Sequence, residues 1–247
     1  MKNEKFRRGE QVLKRIWILA LLGIATTSRV HADGPGADFT LYSGPNATFV
    51  SPDQKLSVKQ YSKDLGGNQG FVHQFWTFAQ NHKHPFLLNP GEGLDLAGYP
   101  AGFRFSSDSQ WLVRMQKLGA GYATLFLYKR NGHQFSPATK KPLGDLAWDY
   151  FFSLPVSKGM DRDPKDRYSP NHAEAGLVKG MDDNYSWMGE HWPDSRYIVI
   201  SLSFDCPGVG SASWIEGWHC VYDLKTGNFS LPPDFVGHNA EAVKTRT

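Results

Sequence analysis

Four tryptophans lie close together in the C-terminal third of the chain, with charged and polar residues between them. They are Trp187, Trp192, Trp214 and Trp218, and His191 directly precedes the second of them. An exposed indole ring beside a carboxylate can stack on a sugar or anchor a partner protein. Ordinary packing in a core is the alternative role for such rings. The candidate binding residues are therefore Trp187, His191, Trp192, Trp214 and Trp218.

The two cysteines of the chain, Cys206 and Cys220, lie in the same aromatic region. In an oxidising compartment such a pair is expected to form a disulfide. Closing a loop of about 15 residues would stabilise the fold by roughly 3 kcal/mol. Two buried free thiols are the alternative. Metal binding is not expected, because two cysteines do not complete a tetrahedral site.

The remaining chemical motifs are weak. His82 and His84 are two residues apart and could share a metal ion from one side of a strand, but the spacing supplies no third ligand. The segment Asp161–Lys165 begins like a calcium loop, with a lysine where the third ligand belongs. The serine-hydrolase, P-loop, dinucleotide and zinc-protease motifs do not occur. The sequence therefore predicts no metal and no cofactor, and assigns no catalytic residue.

A turn followed by a strand occurs three times along the chain. The copies are Val50–Val58, Phe105–Val113 and Trp192–Val199, and each has an aspartate in the turn. An Asp side chain in such a turn accepts hydrogen bonds from nearby backbone N–H groups. The alternation of apolar and polar residues that follows is typical of a half-buried strand.

The second copy shows this alternation clearly. Trp111, Val113 and Met115 alternate with Arg114 and Gln116, which predicts a strand with one polar face. A further strand follows each copy, and an Asn-Gly pair at residues 131–132 predicts a hairpin turn. These further strands are Phe71–Phe78, Tyr122–Lys129 and His219–Leu224. We therefore expect three strand–turn–strand units near residues 48–79, 103–130 and 192–229.

The segments Trp192–Val199 and Cys220–Gly227 resemble the blade repeats of β-propellers, especially Tol-type periplasmic propellers. In that family a Ser-Pro-Asp-Gly turn leads into one strand, and a strand of the type Leu-Tyr-Val-Tyr-Asp-Leu-Lys-Thr-Gly follows. None of the three copies here has glycine after the aspartate. The resemblance implies antiparallel blades and, by analogy only, a protein or cell-envelope partner. Three copies do not close a ring, so a sheet, a sandwich and an incomplete propeller all remain open.

The interval 144–191 interrupts the hairpin pattern, and we expect it to be a long insertion. Asp145–Leu154 has the composition of either a short helix or a buried strand. A capping-box-like start at Asn171 predicts a helix over His172–Lys179. Because long insertions often carry function, a binding site is expected to combine the charged stretch Val156–His191 with the Trp192–Trp218 region.

The first 32 residues have the composition of a cleavable secretory leader. Met1–Arg15 is basic, Ile16–Ala25 is apolar, and Val30–Ala32 fits a signal-peptidase site. Ten apolar residues make a helix of about 15 Å, half of the roughly 30 Å hydrocarbon core. An uncleaved anchor is the alternative. The mature chain is expected to begin at Asp33.

Removal of the leader changes the net charge of the chain. The leader holds seven of the 27 lysines and arginines and two of the 24 aspartates and glutamates, which leaves 20 basic and 22 acidic residues. A nucleic-acid partner is therefore not expected, because phosphate binding needs an excess of lysine and arginine. No later apolar run is long enough to span a membrane stably.

Residues 33–247 are expected to form a single exported domain. Its class is mainly β and antiparallel, with blade-like hairpins and one or two short helices. The expected function is non-enzymatic binding of a protein or cell-envelope component, in the periplasm or outside the cell. Two alternatives remain: a hydrolase of envelope polysaccharide using carboxylates near the tryptophans, and a secreted enzyme inhibitor presenting the loop between Cys206 and Cys220.

Overall fold

The computed structural model of the protein describes residues 34–67, 69–88, 97–119, 122–158, 172–178, 196–205 and 213–245. Internal contacts separate Met1–Val30 from His31–Thr247, and every described residue belongs to the second group. The predicted leader and its cleavage site lie outside the described residues. Most of the expected insertion also lies outside them.

The first sheet contains five antiparallel strands. They are β1 Thr40–Leu41, β2 Thr48–Val50, β3 Leu56–Asp64, β4 Phe71–Ala79 and β5 Phe86–Leu87. The long strands β3 and β4 pair without a break, from Leu56 opposite Ala79 to Asp64 opposite Phe71. Strands β1 and β2 pair with β3, and β5 pairs with β4.

The second sheet contains nine strands. They are β6 Ala101–Phe105, β7 Trp111–Gly119, β8 Tyr122–Asn131, β9 Gln134–Pro137, β10 His172–Leu177, β11 Tyr197–Asp205, β12 Ser213–Asp223, β13 Asn228–Ser230 and β14 Val243–Thr245. Their order is β6-β7-β8-β10-β11-β12-β13, with β9 beside β8 and β14 beside β12. All pairs are antiparallel except β8 and β10, which meet in parallel at Ala123 and Glu174.

The strands β2–β13 form three successive antiparallel meanders of four strands each. The first meander is β2–β5, the second is β6–β9 and the third is β10–β13. This arrangement confirms the mainly β, antiparallel class, and strands lie in all three predicted strand–turn–strand units. The turn of the third copy, which begins at Trp192, lies outside the described residues. Neither sheet returns to its first strand within the described residues, so the described part is not a closed ring.

Apolar side chains pack in three layers against the meanders. The first layer lies between the first and second meanders and includes Phe75 and Phe126. The second covers one face of the second and third meanders and includes helix α1, Leu143–Ser153. The third lies between the third meander and helix α2, Val236–Ala242, where Phe235 of the preceding 3-10 turn is buried.

The sequence left helix and strand open for Asp145–Leu154, and the structure shows a helix there, α1. Pro142 precedes its first residue, and the buried apolar side chains recur at the spacing of one helix face. These side chains are Leu143, Ala147, Trp148 and Phe151. Neither helix in the described part is long and apolar enough to cross a membrane.

Strand β7 is buried on both faces, so the prediction of one polar face for it is wrong. Arg114 and Gln116 are as buried as Val113. The reason is that the first meander covers the face that carries Arg114, while α1 and its neighbours cover the face that carries Val113. The alternation along one strand shows which residues share a face. Which of the two faces is covered depends on the rest of the fold.

The predicted helix over His172–Lys179 is also wrong, because His172–Leu177 forms strand β10. Six consecutive residues pair with β11, from His172 opposite Asp205 to Leu177 opposite Ile200. Ala175 is buried in the layer that contains α1. Pairing to a preformed hydrophobic strand overrides a local helix-start signal.

Candidate functional site

Of the five predicted binding residues, Trp218 is the one whose side chain the structure describes. Trp187, His191 and Trp192 lie outside the described residues, and only the backbone of Trp214 is described, in β12. Trp218 is 1% exposed. Its ring packs nearly perpendicular to Phe151 at a centroid distance of 4.9 Å. Core packing, the alternative role, therefore accounts for Trp218.

Cys220 is a buried thiol in the interior of β12. Burial raises the pKa of the thiol above its ordinary value, so it is protonated at neutral pH. Its strand partner is Ile200, and β11 continues five residues beyond Ile200 to Asp205. Cys206 lies outside the described residues, so the bond between Cys206 and Cys220 stays an untested prediction.

The first two copies of the repeated turn have the same hydrogen bonds. In the first, the Ser51 hydroxyl donates to Asp53 Oδ1 at 2.7 Å and accepts from the Leu56 amide at 3.0 Å. In the second, the Ser106 hydroxyl donates to Asp108 Oδ1 at 2.6 Å and accepts from the Trp111 amide at 2.8 Å. Both serines are buried, so each hydroxyl satisfies a strand amide that water does not reach.

The two turns also contact each other. Gln54 and Ser109, the residues after the two aspartates, have positive φ angles of 58° and 60°. This is the position where the propeller motif has glycine, which adopts such angles without strain. Ser109 compensates by accepting a hydrogen bond from the Asp53 amide at 3.0 Å. The second turn thereby holds the first one in place.

Arg130 of β8 completes this contact. Its Nη1 lies 2.6 Å from Asp53 Oδ2, which links the second meander to the first. Burial by itself would raise the pKa of Asp53, but hydrogen bonds from the Ser51 hydroxyl and the Arg130 guanidinium outweigh it and lower the pKa to about 2. We call this region, formed by Ser51–Leu56, Ser106–Trp111 and Arg130, the turn end.

Three histidines meet beside the turn end. The rings of His82 and His133 are 5.3 Å apart, and those of His82 and His84 are 6.3 Å apart. His82 Nδ1 makes a hydrogen bond of 2.8 Å with the His84 carbonyl oxygen. Within the described residues no three side chains converge as ligands for a metal ion. The spacing of His82 and His84 drew attention to this place, but His133 comes from a different meander.

A buried polar set lies between the first and second meanders. Arg114 Nε donates to Gln116 Oε1 at 2.9 Å, and Nη2 donates to the same oxygen. The guanidinium carbon lies 4.1 Å from the ring centre of Phe75 and 5.1 Å from that of Phe126. Burial lowers the pKa of Arg114, and its interaction with the buried Tyr128 hydroxyl partly offsets this effect. Sequence alternation showed that Arg114 faces away from Val113, but not that this face is covered.

The opposite end of the first meander, around the β3–β4 hairpin, exposes several apolar side chains. Leu41 sits opposite Tyr61, Leu65 follows β3, and Phe71 begins β4. Tyr99 lies nearby, because the preceding Ala97 bridges to β4. We call these four residues the hairpin-end patch; they are between 38% and 54% exposed, and Leu41 lies on the face of the sheet opposite to that of Phe71. Sequence reasoning missed them because isolated leucines and aromatics in a hairpin carry no motif.

The contact between α2 and β12 is also polar at its centre. The Asn239 side chain accepts from the His219 amide and donates to the His219 carbonyl oxygen, both at 2.8 Å. The His219 and His238 rings stack with centroids 4.0 Å apart. Burial, and secondarily the nearby His238, lower the pKa of His219 to about 4. This contact therefore depends on a neutral imidazole.

Comparison with known proteins finds only distant similarity. No family model matches the chain, and no curated protein matches it. Three solved structures are similar at low level: the AtxE2 isopeptidase (12% identity, TM-score 0.37), a prolyl endopeptidase (12%, 0.30) and the putative TolB of Agrobacterium tumefaciens (10%, 0.26). The alignments cover 82%, 80% and 75% of this chain, but 31%, 35% and 63% of the others. The chain thus spans about a third of the first two proteins, and no functional conclusion follows at these TM-scores.

Proposed function

We propose that this protein is an exported, non-enzymatic binding protein whose partner is a protein of the cell envelope, and that the hairpin-end patch contacts this partner. The observation that supports the proposal is the exposure of four apolar side chains, Leu41, Leu65, Phe71 and Tyr99, around the hairpin end of the first meander. Exposed apolar side chains that group together are typical of interaction surfaces. Single exposed apolar residues, by contrast, need no functional explanation.

Phe71 is the natural anchor of such a contact. It is 54% exposed and is the first residue of β4, so its backbone is held by the long β3–β4 pairing. An aromatic ring on a rigid strand offers a large contact area while few rotamers are immobilised on binding. Gly66, Gly67 and Gly70 in the adjacent turn have positive φ angles, which glycine adopts without strain, so the turn can close directly before the ring.

The chain offers a matched pair of variants to test this proposal. Phe71→Ser removes the anchor, and Val236→Ser removes an even more exposed apolar side chain, at 66%, from helix α2. Binding of each purified variant to proteins of a solubilised envelope extract would be measured, with the captured proteins identified by mass. We expect Phe71→Ser to weaken capture of the same protein by about thirtyfold, as for a hot-spot residue of about 2 kcal/mol. Capture by Val236→Ser should equal that by the wild type, and equal loss in both variants would refute the proposal.

Export is a separate part of the proposal and depends on residues 1–32. N-terminal sequencing of the chain recovered outside the cytoplasm should begin at Asp33. A chain that starts at Met1, or that remains in the cytoplasm, would remove the envelope partner from consideration.

A further inference from the structure

Three exposed histidines come together from two hairpin turns that belong to different meanders. His82 and His84 lie in the turn between β4 and β5, and His133 lies in the turn between β8 and β9. The rings of His82 and His133 are 5.3 Å apart. The fold therefore brings imidazoles of the first and second meanders to one place that solvent reaches.

The ring of His82 is oriented by its own turn. Its Nδ1 lies 2.8 Å from the carbonyl oxygen of His84. Because a carbonyl oxygen only accepts hydrogen bonds, Nδ1 carries the proton, and the neutral imidazole has its lone pair on Nε2. Histidines that bind metals generally donate the other ring N–H to a carbonyl or carboxylate oxygen, which fixes the tautomer and the orientation of the ring. Phe86 also packs against the His82 ring, at a centroid distance of 5.0 Å. His82 is thus held in the form that offers Nε2 to a metal ion.

The turn that carries His133 is held by Arg130. The Gly132 carbonyl oxygen accepts from Arg130 Nε at 3.2 Å, and the same guanidinium pairs with Asp53 of the first meander. The backbone next to His133 is therefore tied to the turn end. Since the outer torsion of a histidine side chain has a broad minimum, the ring can present either nitrogen without movement of the backbone.

The ring separations fit two imidazoles bound to one metal ion. A zinc–nitrogen bond of about 2.1 Å puts the centre of a ligating ring about 3.2 Å from the ion, so two rings at a tetrahedral angle are about 5 Å apart. The rings of His82 and His133 are 5.3 Å apart. Those of His82 and His84, at 6.3 Å, would need a nearly linear arrangement around the ion. The pair that fits is His82 and His133, in agreement with the absence of a three-residue metal site among the described residues.

We infer that His82 Nε2 and a ring nitrogen of His133 bind one divalent transition-metal ion, Zn²⁺ or Cu²⁺, with water in the remaining positions. Imidazole nitrogen suits these two ions, whereas Mg²⁺ and Ca²⁺ prefer oxygen ligands. The positive charge of Arg130 beside this turn is balanced by its ion pair with Asp53. Because the two ligands come from the first and second meanders, the bound ion joins these meanders and stabilises the folded chain.

The inference is independent of the proposed binding function and is tested on the purified chain without a histidine tag. Isothermal titration calorimetry would measure the binding of zinc, copper(II) and magnesium chlorides at neutral pH. We expect one tight site for zinc, tighter binding of copper(II) in the order typical of nitrogen ligands, and no binding of magnesium. A chain that binds neither zinc nor copper(II), or that binds magnesium equally well, would overturn the inference.

Variants locate the ion in the structure. His82→Gln and His133→Gln should each weaken zinc binding by at least about tenfold, since even the loss of a group that only orients a ligand has an effect of this size. His84→Gln keeps the carbonyl oxygen that orients His82, so we expect it to bind zinc like the wild type. His238→Gln is the control, because it removes an exposed imidazole from helix α2. Undiminished binding by His133→Gln, or an equal loss in His84→Gln or His238→Gln, would overturn the assignment.

Thermal unfolding measures whether the ion stabilises the folded chain. Zinc at a hundred times its dissociation constant should raise the midpoint of the wild type by roughly 5 °C, because the two ligands are brought together only by folding. The midpoint of His133→Gln should not respond. A wild-type midpoint that stays constant at saturating zinc would contradict a site that joins the two meanders.

A direct observation requires no variant. Crystals of the wild-type chain soaked in zinc chloride would be measured at the zinc absorption edge. An anomalous peak about 2.1 Å from both His82 Nε2 and a ring nitrogen of His133 is expected, the distance of a zinc–imidazole bond. A map with zinc peaks only at other histidines would overturn the inference.

Discussion

The two ends of the first meander are built differently, although the same long strands β3 and β4 run between them. At the turn end, Ser51 and Arg130 engage the Asp53 carboxylate, and the contacts bind one meander to the next. At the hairpin end, Leu41 and Phe71 remain exposed. A satisfied polar network stabilises a fold, whereas exposed apolar groups contribute binding free energy only when a partner covers them. We therefore interpret the turn end as structural and the hairpin end as the recognition surface.

The largest expected effect at the turn end comes from Ser51→Ala. The variant leaves the buried Leu56 amide without its hydroxyl acceptor and removes a donor from the Asp53 carboxylate. We expect the free energy of unfolding to fall by about 2–3 kcal/mol. Chemical denaturation measures the loss. Ser57→Ala, a half-buried serine on the following strand, is the control, and an equal loss in that variant would contradict a special role for the turn.

As the pH falls, the contact between α2 and β12 is expected to lose stability at a higher pH than the turn end. The folded-state pKa of His219, about 4, lies below its ordinary value of 6.5. The unfolded chain therefore binds a proton first as the pH falls, and stability present above pH 6.5 is lost between pH 6.5 and 4. The loss should be on the order of 2 kcal/mol after allowance for partial exposure. His219→Gln should flatten this part of the stability curve, and an unchanged slope would show that other groups cause it.

Asp53 has its own pH window. Its folded-state pKa, about 2, lies below its ordinary value of 3.8. Stability that the carboxylate contributes is therefore present above pH 4 and is lost as the pH falls towards 2. We expect about 1 kcal/mol, since the ion pair with Arg130 is partly exposed. Asp53→Asn should remove this loss while leaving the His219 window intact, which denaturation at closely spaced pH values can resolve.

The smallest expected change in stability comes from substituting the two residues of the turn end that have positive φ angles. Gln54→Gly relieves strain at an exposed position and should stabilise the chain by about 1 kcal/mol. Ser109→Gly relieves the same strain but removes the hydroxyl that accepts from the Asp53 amide. We therefore expect no net gain from the second variant. If both variants stabilise the chain equally in thermal unfolding, the hydrogen bond between the two turns contributes nothing.

The sequence predicted those parts of the fold that depend on local chemistry. The repeated turns, the long strands and the hairpin turn at Asn131 follow from residue order within about ten positions. Strand β10 could not be predicted in this way, because its alanines and glycine become a strand only beside β11. The contact of Asp53 with Ser109 was likewise unpredictable, since these residues lie 56 positions apart. The exposed hairpin end required knowledge of which strands cover which faces.

The division between a structural end and a recognition end is tested most directly by measuring stability and partner binding together in Ser51→Ala and Phe71→Ser. Both variants would be compared with the wild type at a temperature where all three remain folded. The account predicts that Ser51→Ala melts earlier yet captures the envelope protein normally, and that Phe71→Ser melts like the wild type yet captures it about thirtyfold less well. A Phe71→Ser chain that melts early, or that binds as well as the wild type, would contradict it.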